Sequence, residues 1–270
     1  MADRAASGSV NFDRAASFYD ATRSLPAPVT DWIAERMEAA APPDARFLEV
    51  GVGTGRIALN LHRRGRWVTG VDLSAAMMAV YRDKAAAAGL PPPRLVRADV
   101  TRLPFADASV DVVVEVHLLH LVPGWRQALA EIRRVLAPGG VVLLGGGGGH
   151  QDHPRSPRDQ AHRRIRELTA PARSDRPWLG VADQREKVAA LVALGGTAEP
   201  IGERRWTAEE TWADGLAEID SRVYSYAWRV PEDAWRAAAT QLRAEILADH
   251  PELDTSVQVE RSFGLTAVRF

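Results

Sequence analysis

The sequence contains no cysteine, which removes disulfides, thiolate metal sites, cysteine nucleophiles and thiol redox chemistry at once. The chemistry has to come from oxygen, nitrogen or a cofactor. An excess of charge is also lacking: Lys+Arg is 34 against Asp+Glu 35, a formal net charge of −1. Nothing draws the chain as a whole to a polyanion, and a general nucleic-acid binder is disfavoured. Lysine is nearly absent. Lys84 and Lys187 are the only two, and the remaining basic residues are arginines scattered among acids, a coding bias rather than an RNA-binding surface. No apolar run approaches the roughly 18–20 residues of a membrane span, and the first twenty residues hold no secretory hydrophobic stretch. A cytoplasmic protein with no membrane partner is expected.

What is present is a 270-residue chain, 46% hydrophobic and 26% charged, a composition able to bury a full core. At about 150 residues per domain, the length allows one domain with an elaborated cap, or two. From Arg46 onward, short β-branched runs alternate with amphipathic stretches, the pattern of a parallel sheet covered by helices, so the fold class is α/β. The pattern predicts strands over 46–50, 67–71, around Leu95 and Val96, over 110–116 and over 141–144. Helices are predicted after Gly55, with Ile57 and Leu61 on one face and Gly65 as a stop, from the Ser74 cap to Gly89, and over 125–136. The first forty residues suggest two helices, one holding Phe18 and Tyr19 and one with Trp32, Ile33 and Met37 on a single face, packed over the sheet's edge as a lid. After the glycines of 145–149 comes a polar, proline-punctuated stretch to about Gly180, then a helix over 185–194. Residues 197–205 read as a sixth strand, and Thr207-Ala-Glu-Glu210 has the spacing of a capping box opening another helix. Pro231 fits the first position of one more helix, and 257–263 alternate as a final strand.

A glycine-rich turn between a strand and a helix lets the backbone approach a ligand and aims unpaired N–H groups at it. Gly51-Val-Gly-Thr-Gly55 is such a turn, and Asp72, at the end of the next strand, suits a carboxylate that accepts both hydroxyls of a ribose. Together they indicate a nucleoside site. Arg56 stands where a dinucleotide fingerprint requires a small residue, which argues against NAD.

Four blocks in order then carry a resemblance. Phe47-Leu-Glu-Val-Gly-Val-Gly-Thr-Gly-Arg56 resembles the first motif of class I S-adenosylmethionine-dependent methyltransferases, and Val71-Asp-Leu-Ser74 the ribose motif. Ala98-Asp-Val-Thr-Arg-Leu-Pro-Phe105 with Ser109-Val-Asp-Val-Val113 is similar to the adenine motif and fourth strand, and Glu131-Ile-Arg-Arg-Val-Leu-Ala-Pro-Gly-Gly140 to the signature before strand five. The branch is that of ubiquinone/menaquinone-biosynthesis and trans-aconitate-type enzymes. The resemblance implies a doubly wound, mostly parallel seven-stranded sheet of the Rossmann-like methyltransferase fold, with S-adenosylmethionine as cofactor and S-adenosylhomocysteine as its product. The layout expected is a helical lid over 1–40 and a core over 41–205 with an insertion at about 146–194. A helical cap for the acceptor follows over 206–255, and the last core strand over 256–270.

By the same resemblance, Gly51, Gly53 and Gly55 approach the methionyl part with Glu49 beneath it, and Asp72 holds the ribose. Leu73 and Met77 sandwich the adenine, unless Met77 is simply core. Asp99 and the backbone N–H of Val100 read the adenine edge. Tyr19-Asp-Ala-Thr-Arg23 resembles the branch's lid motif, in which Tyr19 and Arg23, four apart on one helical face, close on the cofactor's carboxylate.

The reaction centre is expected at the carboxyl ends of strands four and five, where Glu115, His117 and His120 fall. An imidazole is suited to take a proton from an acceptor O–H or N–H, which makes His117 the expected general base; a buried, hydrogen-bonded histidine is the alternative. His117 and His120 could converge with His150, Asp152 and His153 as metal ligands, against the reading of an exposed polar loop. The C-terminal cap holds Trp206, Trp212, Tyr224, Tyr226, Trp228 and Trp235, of which two are expected to reach the substrate and the rest to be core. Methyl transfer by in-line displacement to a small-molecule O, N or C acceptor is the first functional reading. A non-methylating S-adenosylmethionine-binding member and a metal-assisted variant are the alternatives.

Overall fold

The structure is a computed structural model, and it describes residues 8–147, 155–172 and 179–270. His150, Asp152 and His153 lie outside the described residues. Helices α1 (Tyr19–Arg23) and α2 (Ala27–Ala40) precede β1 (Phe47–Val50), α3 (Ala58–Arg63), β2 (Val68–Asp72), α4 (Ala75–Ala87), β3 (Arg94–Arg97), β4 (Val110–Val116), α5 (Trp125–Val135) and β5 (Leu136–Gly147). There follow α6 (Pro157–Leu168), α7 (Gln184–Ala193), β6 (Thr197–Glu210), α8 (Trp212–Asp220), α9 (Glu232–Asp249) and β7 (Val257–Arg269). The sheet order is β3-β2-β1-β4-β5-β7-β6, parallel except for β7, which runs antiparallel between β5 and β6.

The central strands read as unbroken apolar runs because both faces are covered. On β4, Val112 and Val114 face α2, α3 and α4, while Val113 faces α5; on β5, Val141 and Leu143 join the first layer and Val142 and Leu144 the second. Each such side chain contributes about 1.5–3 kcal/mol by leaving water. The cap of α4 is as expected, with Ser74 Oγ accepting from the Met77 N–H at 3.0 Å and Gly89 taking a positive φ.

Several boundaries differ from the expected ones. Residues 1–40 are not one lid: Val29, Ile33, Ala34 and Met37 of α2 are buried in the main core, so α2 is a structural layer helix. Thr207-Ala-Glu-Glu210 opens no helix, because β6 runs on through Glu210; the capping box is made four residues later by Thr211 and Asp214. β7 likewise continues to Arg269. The insertion and the C-terminal cap are not separate units either. α6 packs with α8 and α9 around Ile165, Trp212, Leu216, Tyr226 and Trp235, while α7 returns to the core and buries Leu191 near α5.

Among the described residues, β5 pairs with β7 as far as Gly147 opposite Phe263, and β6 and β7 stay paired on to Glu210 opposite Val257. The cap is fastened to this strand pair by Arg261. Its Nη1 donates to Asp159 at 2.7 Å, its Nε to Glu210 at 2.9 Å and its Nη2 to Ser156 at 3.0 Å, and all four side chains are buried. Ser156 in turn caps α6 through the Asp159 N–H. Removing the guanidinium leaves two carboxylates buried without it. Arg261→Ala is expected to lower unfolding stability by about 3–5 kcal/mol, measured by urea denaturation; a loss under about 1 kcal/mol contradicts this role.

Candidate active site

The strand order reverses between β1 and β4, with β2 and β3 on one side and β5, β7 and β6 on the other, and this is where open α/β sheets leave a crevice. A cavity of about 840 Å³ opens there, within the usual 300–1,000 Å³ of small-molecule sites. At one end the turn after β1 is tied to β2 by Gly51 and Val52 N–H groups donating to the Val71 carbonyl at 2.8 and 3.0 Å. Asp72 accepts from the Gly53 N–H and the Ser74 N–H, both at 2.8 Å. One lone pair on each oxygen is thereby used, leaving acceptor capacity toward the cavity. Burial pushes the Asp72 carboxyl upward, against the hydrogen bonds that favour its charge. Leu73, Met77, Asp99 and Val100 line the same end. Asp99 Oδ1 is occupied by the Thr101 N–H and hydroxyl.

Gly51 and Gly53 line the cavity, and Gly55 does not. A Cβ on Gly55 would stand 2.3 Å from the Tyr81 ring, and its φ is +71°. This glycine makes room for the aromatic ring under the turn.

The segment before α2 closes over the cavity. Asp13 accepts from Ser74 Oγ at 2.5 Å, and Asp20 accepts from Thr54 Oγ1 at 2.6 Å and from Lys84 Nζ at 2.9 Å. Tyr19 and Arg23 line the wall so formed. Arg23 lies 3.7 Å over the Tyr224 ring and donates to the Val223 carbonyl at 3.2 Å, so it bridges from α1 to the cap.

At the other end the residues after β4 and β5 meet β7 and the cap. Glu115 is fully buried and does not line the cavity. It accepts from the Leu118 and Leu119 N–H groups at 3.0 and 3.1 Å and from Lys187 Nζ at 3.0 Å. Its expected place among reacting groups is therefore corrected: it turns the chain after β4 and pins α7. His117 and His120 do line the cavity. His117, at φ +57°, is held 2.9 Å from Arg56 by its Nδ1. A guanidinium only donates, so Nδ1 accepts and the neutral ring carries its proton on Nε2. Burial and the nearby Arg56, His120, Lys187 and Arg23 hold His117 well below the ordinary imidazole range. Its expected role as general base is thus corrected, since it offers a donor. Burial, Lys187 and Arg23 bring His120 down to about 3. Among the described residues, no group of three or more His, Asp or Glu is placed to hold a metal ion.

Of the six cap aromatics, Tyr224 and Tyr226 line the cavity, while Trp212 and Trp235 are core. Sequence reasoning missed Arg56, Lys84 and Lys187. A signal existed for the lysines: in a chain whose cations are otherwise arginine, both pair with carboxylates at this site.

Comparison with known proteins agrees with this geometry. Residues 48–144 match the model of a methyltransferase domain family. The α/β core belongs to the class I S-adenosylmethionine-dependent methyltransferases. The malonyl-[acyl-carrier protein] O-methyltransferase of Halorhodospira halophila is 37% identical over 50% of this chain and 45% of its own length. The demethylmenaquinone methyltransferase of Thermus thermophilus is 41% identical over 37% of this chain and 46% of its own. The chain thus spans about half the length of the curated relatives it matches. The solved YcgJ protein of Bacillus subtilis shares the fold, with a TM-score of 0.57 over 90% of this chain and 97% of that one, at 20% identity. No helix among the described residues is long and apolar enough to cross a membrane.

Beneath the turn of this methyltransferase domain, Glu49 is buried and does not line the cavity, and its Oε2 has no hydrogen-bond partner among the described residues. Burial pushes its carboxyl up to about 8, against the pull of Arg56 and the Ala58 N–H. Between about 4.5 and 8 the folded chain keeps a proton that the unfolded chain releases, so this group makes stability fall as pH rises through that window. The buried histidines, depressed from 6.5, act oppositely but only below 6.5. Glu49→Gln is expected to flatten the decline in unfolding stability between pH 6.5 and 8. Denaturant unfolding across that range checks it, and an unchanged slope contradicts the assignment.

Proposed function

We propose that this chain transfers the methyl group of S-adenosylmethionine to a small-molecule acceptor. The observation that carries the reading is the division of the cavity. One end offers the carboxylates of Asp72 and Asp99 with the apolar faces of Leu73, Met77 and Val100, as an adenosine requires. Between this end and the cap, Gly51 and Gly53 line the cavity with backbone packed closely against the Leu118 and Met77 side chains, and Tyr19 and Arg23 line it as well. When bound, S-adenosylmethionine supplies an electrophilic methyl carbon, which an O, N or C nucleophile takes in line with the departing sulfur.

The chain's own part is to bind, orient and exclude water. Asp72 accepts the ribose hydroxyls with lone pairs that Gly53 and Ser74 have already oriented. Arg23 is a cation free of any carboxylate among the hydrogen bonds and cation–π contacts that hold it, and it offers its charge to the methionyl carboxylate. His117 lines the cavity with its proton on Nε2, a donor that can orient an acceptor oxygen or nitrogen. The enclosed, cation-flanked acceptor end also favours an acceptor atom that is losing a proton.

Asp72→Ala removes a charge-assisted contact on the ribose and should weaken S-adenosylmethionine and S-adenosylhomocysteine binding by about 1–3 kcal/mol, roughly 5- to 150-fold. Isothermal calorimetry measures this. Unchanged affinity in the variant, or tighter binding of NAD by the unaltered protein, overturns the reading.

A further inference from the structure

In the cap, remote in sequence from the domain that carries the glycine turn, the half-exposed Arg158 and three buried side chains form a relay ending at the cavity wall. Arg158 on α6 donates to Glu218 on α8, Glu218 Oε2 lies 2.8 Å from His162 Nε2, and His162 Nδ1 lies 2.5 Å from the hydroxyl of Tyr226. His162 is 1% exposed and Tyr226 2% exposed, and Tyr226 lines the cavity beside Tyr224 and Ser225. A guanidinium can only donate, so Glu218 is an ionised acceptor. Burial works to raise the Glu218 carboxyl, but His162 and Arg158 outweigh it and hold it below the ordinary range. With His162 neutral, an ionised Glu218 takes the Nε2–H, Nδ1 is the lone-pair nitrogen, and the Tyr226 O–H donates to it. Burial raises the Tyr226 phenol, which keeps that proton in place at neutral pH. The order carboxylate, imidazole, hydroxyl is the logic by which a carboxylate fixes the tautomer and stabilises the imidazolium that forms when the hydroxyl is used.

We propose that Tyr226 is the proton acceptor for the methyl acceptor, with His162 and Glu218 as its positioning residues. The assignment rests on the methyl-transfer reading for the identity of the reaction, but not for the relay itself. The acceptor X–H passes its proton to Tyr226 Oη as the phenolic proton moves to His162 Nδ1. The electron pair of the X–H bond remains on X and forms the bond to the methyl carbon, while the pair of the broken carbon–sulfur bond stays on sulfur. The imidazolium charge is offset by Glu218, and the proton returns through Tyr226 to water once the product has left. This supplies the base that His117 does not provide, since the Nδ1 of His117 is taken by Arg56.

Because the relay acts on any electrophile that reaches Tyr226, its test needs no knowledge of the acceptor. Phenylmethanesulfonyl fluoride forms a sulfur–oxygen bond with a phenol as fluoride leaves and the phenolic proton is taken up, here by His162. The full chain is treated with this reagent at pH 7.5 and its four tyrosines are followed by peptide mass spectrometry. Tyr226 is expected to label fastest, and His162→Gln and Glu218→Gln to slow that labelling by about tenfold or more, while Tyr226→Phe abolishes it. Circular dichroism reports folding of each variant, and calorimetry with S-adenosylhomocysteine reports the cofactor site, where affinity should stay within about twofold. If one variant fails to fold, the other still decides. No labelling of Tyr226, or labelling at an undiminished rate in a folded His162→Gln or Glu218→Gln variant, overturns the relay. Relay-dependent labelling without S-adenosylhomocysteine binding overturns the methyl-transfer reading instead, so the two failures are distinguishable.

Discussion

A carboxylate that ends a central parallel strand, Glu115, is taken entirely out of water, and the active end of the molecule is arranged around satisfying it. A buried charge of this kind is tolerable only when paired and hydrogen-bonded. Two backbone N–H groups just beyond β4 turn back to it, which forces the tight bend in which His117 takes a left-handed conformation. Lys187 supplies the counter-charge and so draws α7 down against the strand ends. The pair is weak evidence for stability, because the desolvation cost offsets much of the attraction. Its consequence is positional: it sets where the loop, the imidazoles and one wall of the cavity stand.

From that arrangement follows the polarity of the cavity. Asp72 and Asp99 line the β2 and β3 side, while Arg23, Lys187 and Glu203 line the rest, with Arg56 held against His117. Burial, with these cations nearby, keeps the imidazoles neutral, and the proton acceptor proposed above is a different group. Tyr226, backed by His162 and Glu218, comes from the cap. The Asp72 end and the Tyr226 relay are thereby built on different elements, one local to the sheet and one assembled by the cap helices.

The cap itself is joined to the long β6–β7 pair by burying Arg261 against Asp159, Glu210 and Ser156. Since α6 comes from one segment and α8 and α9 from another, the relay residues His162 and Glu218 meet only because this junction brings their helices together.

The strand, glycine turn and helix with Asp72 at the next strand end were legible in the sequence, because a turn requiring positive φ and a strand buried on both faces are determined by a few adjacent residues. The helix α6 was missed for want of an apolar stripe, although Ser156 followed by Pro157 is a local start signal. The capping box was misplaced by four residues because strand pairing along β7 outweighed local spacing. What the sequence could not decide are the pairings between distant residues. Arg56 stands 61 positions from His117, Lys187 stands 72 from Glu115, and Tyr226 stands 64 from His162. A proton's place on an imidazole follows from which donor or acceptor faces each ring nitrogen. Local sequence therefore determined the glycine turn and Asp72 at one end of the cavity, and only tertiary structure decided which groups face each imidazole at the other.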